Sequence, residues 1–259
     1  MKELGQSQYK IILPLLKEID FETAFSYSIV ENRQKGRIFV DTVINPGVAL
    51  FWHYCGFAYL AGDPDKSDFD FLSRLFAGKF EYGQRRFILH ISQKKWNEKM
   101  AAFMDKCGVD SSQRHIFHFD KALYQNHDHS IPRGFRAAEI DGDLLTKLKG
   151  RIVPSFSWSA PEEFLCGGKG FCLMDGDHIA CTAFSSGIGN GQMDIGVETD
   201  ERYRGRGLAA SAAARMVEFA LHNGYEPAWG CGVGNIASAA VAEKIGFQLG
   251  EVCWVYAKI

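Results

Sequence analysis

The stretch TDERYRGRGLAAS, residues 199–211, decides the fold. Three arginines and two glycines stand in front of an alanine run that favours helix. The first amides of any helix lack internal partners, and a Ser, Thr, Asp or Asn side chain normally accepts from one of them. Here Arg204, Gly205, Arg206 and Gly207 hold that place. Glycine permits a backbone turn with positive φ and lets a bulky group come close. Outward amides, the positive end of the helix dipole and neighbouring guanidinium groups together make an anion site. A phosphate or pyrophosphate suits it best. A plain Arg-Gly surface turn and an RNA contact are the alternatives. The Walker pattern G-x-x-x-x-G-K-S/T is absent, and so is a G-x-G-x-x-G with an acid about 20 residues on.

Working outward, Leu208, Ala212, Met216, Phe219 and Ala220 form a core-facing stripe on a helix predicted to reach about His222 and to end at Gly224. The strand QMDIGVET delivers the chain to the start of that helix. Before it, KGFCLMDGDHIACTAFSS reads as a hairpin turning at Gly176-Asp177. GFRAAEI reads as a strand, residues 143–148 as a short helix, and SFSWSAPEEFLCGG as an aromatic loop. After it come a strand (PAWGCGV), a helix (NIASAAVAEKIG) and one or two closing strands (FQLGEVCWVYAKI).

These segments resemble the GNAT superfamily of N-acetyltransferases. The superfamily signature Q/R-x-x-G-x-G/A joins the fourth strand to the main helix. Arg204-Gly205-Arg206-Gly207-Leu208-Ala209 matches it. A second signature is an Asn after the fifth strand and a helix ending in E-K-x-G-F. Asn235 and the run Glu243-Lys244-Ile245-Gly246-Phe247 match that. The likeness covers residues 132–259. Within the superfamily, FLCGGKGFC, DIGVET and YRGRGLA look most like a two-domain subgroup. That subgroup includes acetyltransferases conferring resistance to the aminopolyol antibiotic zwittermicin A.

The resemblance implies an α/β (α+β) fold with a mixed central sheet flanked by helices, and acetyl-CoA as cofactor. It implies that the segment Arg204, Gly205, Arg206, Gly207, Leu208 and Ala209 holds the pyrophosphate. Backbone groups at Val197, Glu198 and Thr199 would pair with the pantetheine arm. Asn235 would hydrogen-bond that arm, with Ser238 close by. The chemistry would be direct attack of an amine on the thioester, with a backbone amide near Val197 facing the carbonyl oxygen. Many members protonate the leaving thiolate with a Tyr in the last helix. Val241 and Ala242 stand there instead, which leaves Tyr256, Tyr203 or solvent. For the base, Asp194 and Glu198 alternate onto one face of a regular strand. For the acceptor wall, Phe156 and Trp158 offer apolar packing, and Glu162 or Glu163 would attract an amine. The function this supports is acetyl transfer to a primary amine of a small molecule, such as an aminopolyol antibiotic or polyamine. A non-catalytic acyl-CoA-binding sensor is the alternative.

The first half, residues 1–126, reads as a separate α/β domain. Helices fall around residues 11–18 and 22–32, and strands at 37–42, 49–60, 85–92 and 114–119. Further helices lie near 68–76, with Asp68 or Ser67 as cap, and at 94–108. This order resembles a GNAT-like copy that has lost its cofactor motif. YQNHDHSIPRG reads as the linker to the second domain, residues 132–259. On a strand His127 and His129 would share a face, but no third metal ligand is near and no metal is expected.

The bulk numbers suit one large globular domain or two of ordinary size. Of 259 residues, 46% are hydrophobic and 23% charged, enough for real cores. Net charge is −2, with 29 basic against 31 acidic residues, so no broad nucleic-acid surface is expected. The 7 scattered cysteines read as buried free thiols. The N-terminus lacks a signal-peptide core, and the most apolar stretch, GVALFWHYCGFAYLAG, is too short and interrupted to span a bilayer. A cytoplasmic protein is expected.

Overall fold

The computed structural model describes residues 1–78, 86–92 and 94–258. The strand expected at 85–92 therefore begins, at Arg85, outside the described residues. Elements follow one another in two matching series. The first runs β1 (Lys2–Glu3), a 3-10 turn leading into α1 (Leu13–Leu16), α2 (Thr23–Val30), β2 (Gly36–Val40), β3 (Val48–His53) and β4 (Phe57–Gly62). It continues through α3 (Phe69–Phe76), β5 (Ile88–Ile91), α4 (Lys94–Cys107) and β6 (Asp110–Phe119). A short α5 (Lys121–Gln125) leads to the second series. That series runs β7 (Arg136–Glu139), α6 (Gly142–Lys147), α7 (Pro161–Gly167), β8 (Gly170–Asp175), β9 (His178–Gly189) and β10 (Gln192–Thr199). It closes with α8 (Leu208–His222), β11 (Glu226–Gly232), α9 (Ile236–Lys244) and β12 (Phe247–Ala257). The first half thus repeats the element order of the second.

The strands make one twelve-stranded sheet in the order β1-β2-β3-β4-β5-β12-β6-β11-β10-β9-β8-β7. Each half ends on a strand that the other half uses. β12 pairs with β5 of the first half, β6 pairs with β11 of the second, and β6 and β12 pair with each other. Only two neighbours are parallel, β4 with β5 and β10 with β11, one in each half. The halves also meet through α2, which packs on β9. A Cβ on Gly189 would lie 2.5 Å from the Ser28 nitrogen, so glycine is what allows that approach. Buried Gln34 closes the contact. Its amide donates to the Ser186 carbonyl at 3.0 Å and accepts from the Ile188 amide at 3.2 Å.

Several local expectations are corrected. SFSWSAPEEFLCGG is not a loop: it holds a 3-10 turn (Pro154–Phe156) and α7. Pro161 at the first helical position, with Glu162 and Glu163 following, is a helix-start signal that the aromatic composition obscures. His127 and His129 lie in the linker, outside helix and strand, and the His129 ring stacks on Tyr124 at 4.1 Å and has its own carbonyl partner there. Two thiols are not buried, since Cys166 is exposed and Cys107 half-buried. No described helix is long and apolar enough to cross a membrane.

Candidate active site

The site begins where β10 and β11 part. They pair only at Gln192↔Glu226, Met193↔Pro227 and Asp194↔Ala228. Beyond that point β10 keeps its partner β9 but leaves its other edge, at Val197 and Glu198, without a strand. The gap opens into a cavity of about 720 Å³. Its walls are β10, the start of α8, β11 with the start of α9, and residues of the first half.

At one end stands α8. Its N-cap is Gly207, with φ of 77° and no side-chain cap, and Gly205 has the same φ. A Cβ at either glycine would meet nothing within 4 Å, so the left-handed backbone, not crowding, selects glycine. Arg206 lies over the Tyr203 ring at 5.3 Å, whereas Arg202 is neutralised by Asp200 at 3.0 Å. The equivalent helix of the first half is closed. Asp68 caps α3 by accepting from the Phe71 amide at 2.8 Å and also takes the N-terminal ammonium at 2.8 Å. Of these two equivalent helices α8 alone is left without a side-chain cap, and this fits a diphosphate.

At the other end lies Asp194, 8% exposed. A bulge in the β9–β10 ladder sits beside it and brings in Ser186, whose hydroxyl donates to its carboxylate. Burial pushes the Asp194 carboxyl up to about 7, against the opposing effects of the Ser186 bond and the Arg114 charge. Arg114 comes from β6 and stacks on Phe57 at 5.3 Å. It is ion-paired to Glu22, which also takes His90 Nδ1 at 2.5 Å. Burial raises the Glu22 carboxyl, but Arg114 and His90 outweigh it and hold it at about 2. Burial lowers His90, so it serves as a neutral donor. Glu22, His90 and Cys253 each bring one possible ligand atom within 4.8 Å of the others. This is an ion pair with a histidine donor rather than a metal site: Glu22 is already engaged, and burial keeps the Cys253 thiol protonated.

The sequence model of the GNAT acetyltransferase family matches residues 14–256. The chain belongs to the GNAT acetyltransferase family. By family it is an N-acetyltransferase. It is 25% identical over 252 residues, 96% of its length and 95% of the relative's, to the uncharacterized N-acetyltransferase YdfB of Bacillus subtilis (strain 168). The GCN5-related N-acetyltransferase-like protein of Streptococcus suis 89/1591 superposes with a TM-score of 0.76 at 26% identity, covering 98% of this chain and 99% of that one. A tandem GNAT protein from the clavulanic acid biosynthesis pathway shares the fold, with a TM-score of 0.62 at 13% identity over 98% and 96% of the two chains.

The GNAT cavity gathers much of the sequence-read set. Asp194, Val197, Glu198, Thr199, Arg204, Gly205, Gly207, Leu208, Ala209, Asn235, Ser238 and Phe156 all line it. Asn235 caps α9 by accepting from the Ser238 amide at 3.2 Å, and the Ser238 hydroxyl accepts from the Trp229 indole at 3.2 Å. Glu198 accepts from the Ile152 amide at 2.9 Å and so ties down the chain before the 3-10 turn. Trp158 is a core residue, its indole donating to the Ser185 carbonyl at 2.8 Å. Glu162 is exposed on α7, and Glu163 pairs with Lys35 at 3.0 Å. None of these three reaches the cavity. Tyr256 is buried among residues of the first half, away from the cavity, and the Tyr203 hydroxyl donates to Asp175 at 3.1 Å. Sequence reasoning suggested that the first half shapes the acceptor cleft but named none of the residues: Phe25, Phe57 and Arg114 on the wall, with Glu22 and His90 behind. One local oddity marks Glu22, a left-handed φ of 46° directly before α2, but no sequence motif announces it.

Proposed function

We propose that this protein is an acetyl-CoA-dependent N-acetyltransferase that acetylates a primary amine of a small molecule directly, with Asp194 as the base. Its location is proposed to be the cytoplasm. The observation that carries the reading is the juxtaposition, across one cavity, of an uncapped helix end and a buried carboxyl poised near neutrality. When bound, acetyl-CoA supplies an acetyl group activated as a thioester. Residues 204–209 hold its diphosphate through backbone amides and the helix dipole. The open edge of β10 at Val197, Glu198 and Thr199 offers main-chain partners to an extended arm, as a missing strand would. The Val197 amide serves as donor to the carbonyl oxygen. Asn235 and Ser238 bound the same arm from the α9 side.

Asp194 accepts the proton that the amine must lose. Glu198 is the weaker candidate because the Ile152 amide occupies its carboxylate. With Val241 and buried Ala242 where a tyrosine would be expected, and with Tyr256 outside the cavity, the thiolate is protonated by solvent. The resemblance to the zwittermicin subgroup suggests an aminopolyol or polyamine acceptor. Glu163 is paired with Lys35 and neither Glu162 nor Glu163 lines the cavity, which weighs against a polycation there.

Turnover is tested by following free CoA thiol over a panel of amines. Time-dependent thiol release that requires an amine is the expected result. Tight acetyl-CoA binding with no thiol release from any amine would favour a non-catalytic sensor instead.

A further inference from the structure

The charges at the acceptor end of the cavity are not arranged for a polycation. Each carboxylate there is already engaged. Glu22 is ion-paired with Arg114, Asp194 takes the Ser186 hydroxyl, and Glu198 takes the Ile152 amide. Two guanidinium groups are not so matched. Arg151, exposed, lines the cavity, and Arg86 stands outside that lining. Arg86, half-buried, lies over the ring of Phe156 at 4.9 Å, and its Nε donates to the Cys55 carbonyl at 2.7 Å. Among the described residues no carboxylate lies within ion-pair distance of either. The two arginines are also close enough for the charge of Arg151 to disfavour that of Arg86, on top of the effect of burial. Guanidinium cannot shed its proton in a protein, so a bound anion would offset the repulsion between the two. Phe25, Phe57 and Phe156 line the same cavity as Arg151 and Asp194.

We propose that the accepted amine also carries a carboxylate, and that Arg151 on the cavity wall holds it, with Arg86 over Phe156 adding a second positive charge, while the amino group faces Asp194. The substrate class is then amino-acid-like: an amine and a carboxylate on one small, partly apolar frame. The proposal rests on the acetyl-transfer reading and narrows it. A planar fork of N–H donors matches a carboxylate in two parallel bonds, and this geometry favours arginine over lysine at such a site. Phe156 fixes the plane of Arg86 from beneath.

The experiment compares matched pairs on the protein saturated with CoA: phenylalanine against phenethylamine, lysine against cadaverine, and β-alanine against ethanolamine phosphate. Binding is read by calorimetry and turnover by thiol release from acetyl-CoA. The carboxylated member of at least one pair should bind about ten- to a hundredfold tighter and show a correspondingly lower KM. Arg151→Gln and Arg86→Gln should each erase that preference while leaving acetyl-CoA affinity within about twofold. Equal or absent binding of both members in every pair would overturn the proposal. So would preference for the decarboxylated amine or the phosphate, or a loss in Arg151→Gln that falls on acetyl-CoA instead of the acceptor. Failure of the acetyl-transfer reading would look different: no acetyl-CoA affinity, or no thiol release with any amine, whatever the binding pairs show.

Discussion

Asp194 is caught between two demands. It is surrounded by Phe25, Phe57 and the Ser186 hydroxyl, and burial pushes its carboxyl from 3.8 to about 7. A base works deprotonated, so kcat/KM should rise with pH through a midpoint near 7 and level off above it. Asp194→Asn should remove that limb and lower kcat by about 10²–10⁴. A flat profile in the wild type would remove Asp194 from the role. The same shift affects stability with the opposite sense. The folded carboxyl holds its proton more tightly than the unfolded one, so its contribution is full below 3.8 and is lost as pH rises through about 7. Asp194→Asn should therefore raise Tm at pH 8 and change it little at pH 4, measured by thermal denaturation. The chemistry of this residue type was legible in sequence, but its rank over Glu198 was not. Both are acids on one strand, and only the packing of Ser186, Arg114 and Ile152 separates them.

At the scale of the element, α8 acts through what it lacks. Gly207 at φ 77° with no side-chain cap leaves amides for a ligand. Gly207→Ala introduces left-handed strain, costing about 1–2 kcal/mol of stability, but adds no charge, so acetyl-CoA affinity should fall only slightly. Gly207→Glu adds the same strain and places a carboxylate at the positive helix end. Affinity should drop about tenfold or more, read by calorimetry with acetyl-CoA. Equal affinities for the two variants would place the diphosphate elsewhere. This element was readable because its signal is local: a glycine pair, an alanine run and a strand before it. α7 was misread although it too carries a local signal, Pro161 and two glutamates. It is only seven residues long and its aromatic approach, Phe156 and Trp158, suggested a ligand wall. Trp158 in fact fills the core beneath β9.

At the scale of the molecule, the exchange of β6 and β12 joins the halves. β12 lies between β5 and β6, and its Cys253 and Tyr256 are buried in clusters built largely from the first half. The halves should therefore unfold together. In denaturant, variants keeping only Trp52 or only Trp229 should report coincident transitions. Two separated midpoints would show that the exchanged strands do not couple them. The exchange also places Arg114 of β6 beside β11, in the cavity that the second half opens. In the first half the helix equivalent to α8 is closed by Asp68, yet that half supplies Phe25, Phe57 and Arg114 to the cavity that Asp194 lines.

The sequence by itself determined the second half's fold and the open helix end at Gly207, because both depend on short-range features: helix period, glycine backbone freedom and an absent cap. It also revealed the order of elements in the first half. Only the tertiary structure decided what surrounds Asp194. Glu22, His90, Arg114 and Asp194 are scattered across more than 170 positions, and no periodicity links residues brought together by strand exchange. Their ionisation, too, arises from burial and mutual charge, which exist only once the two halves close around the cavity.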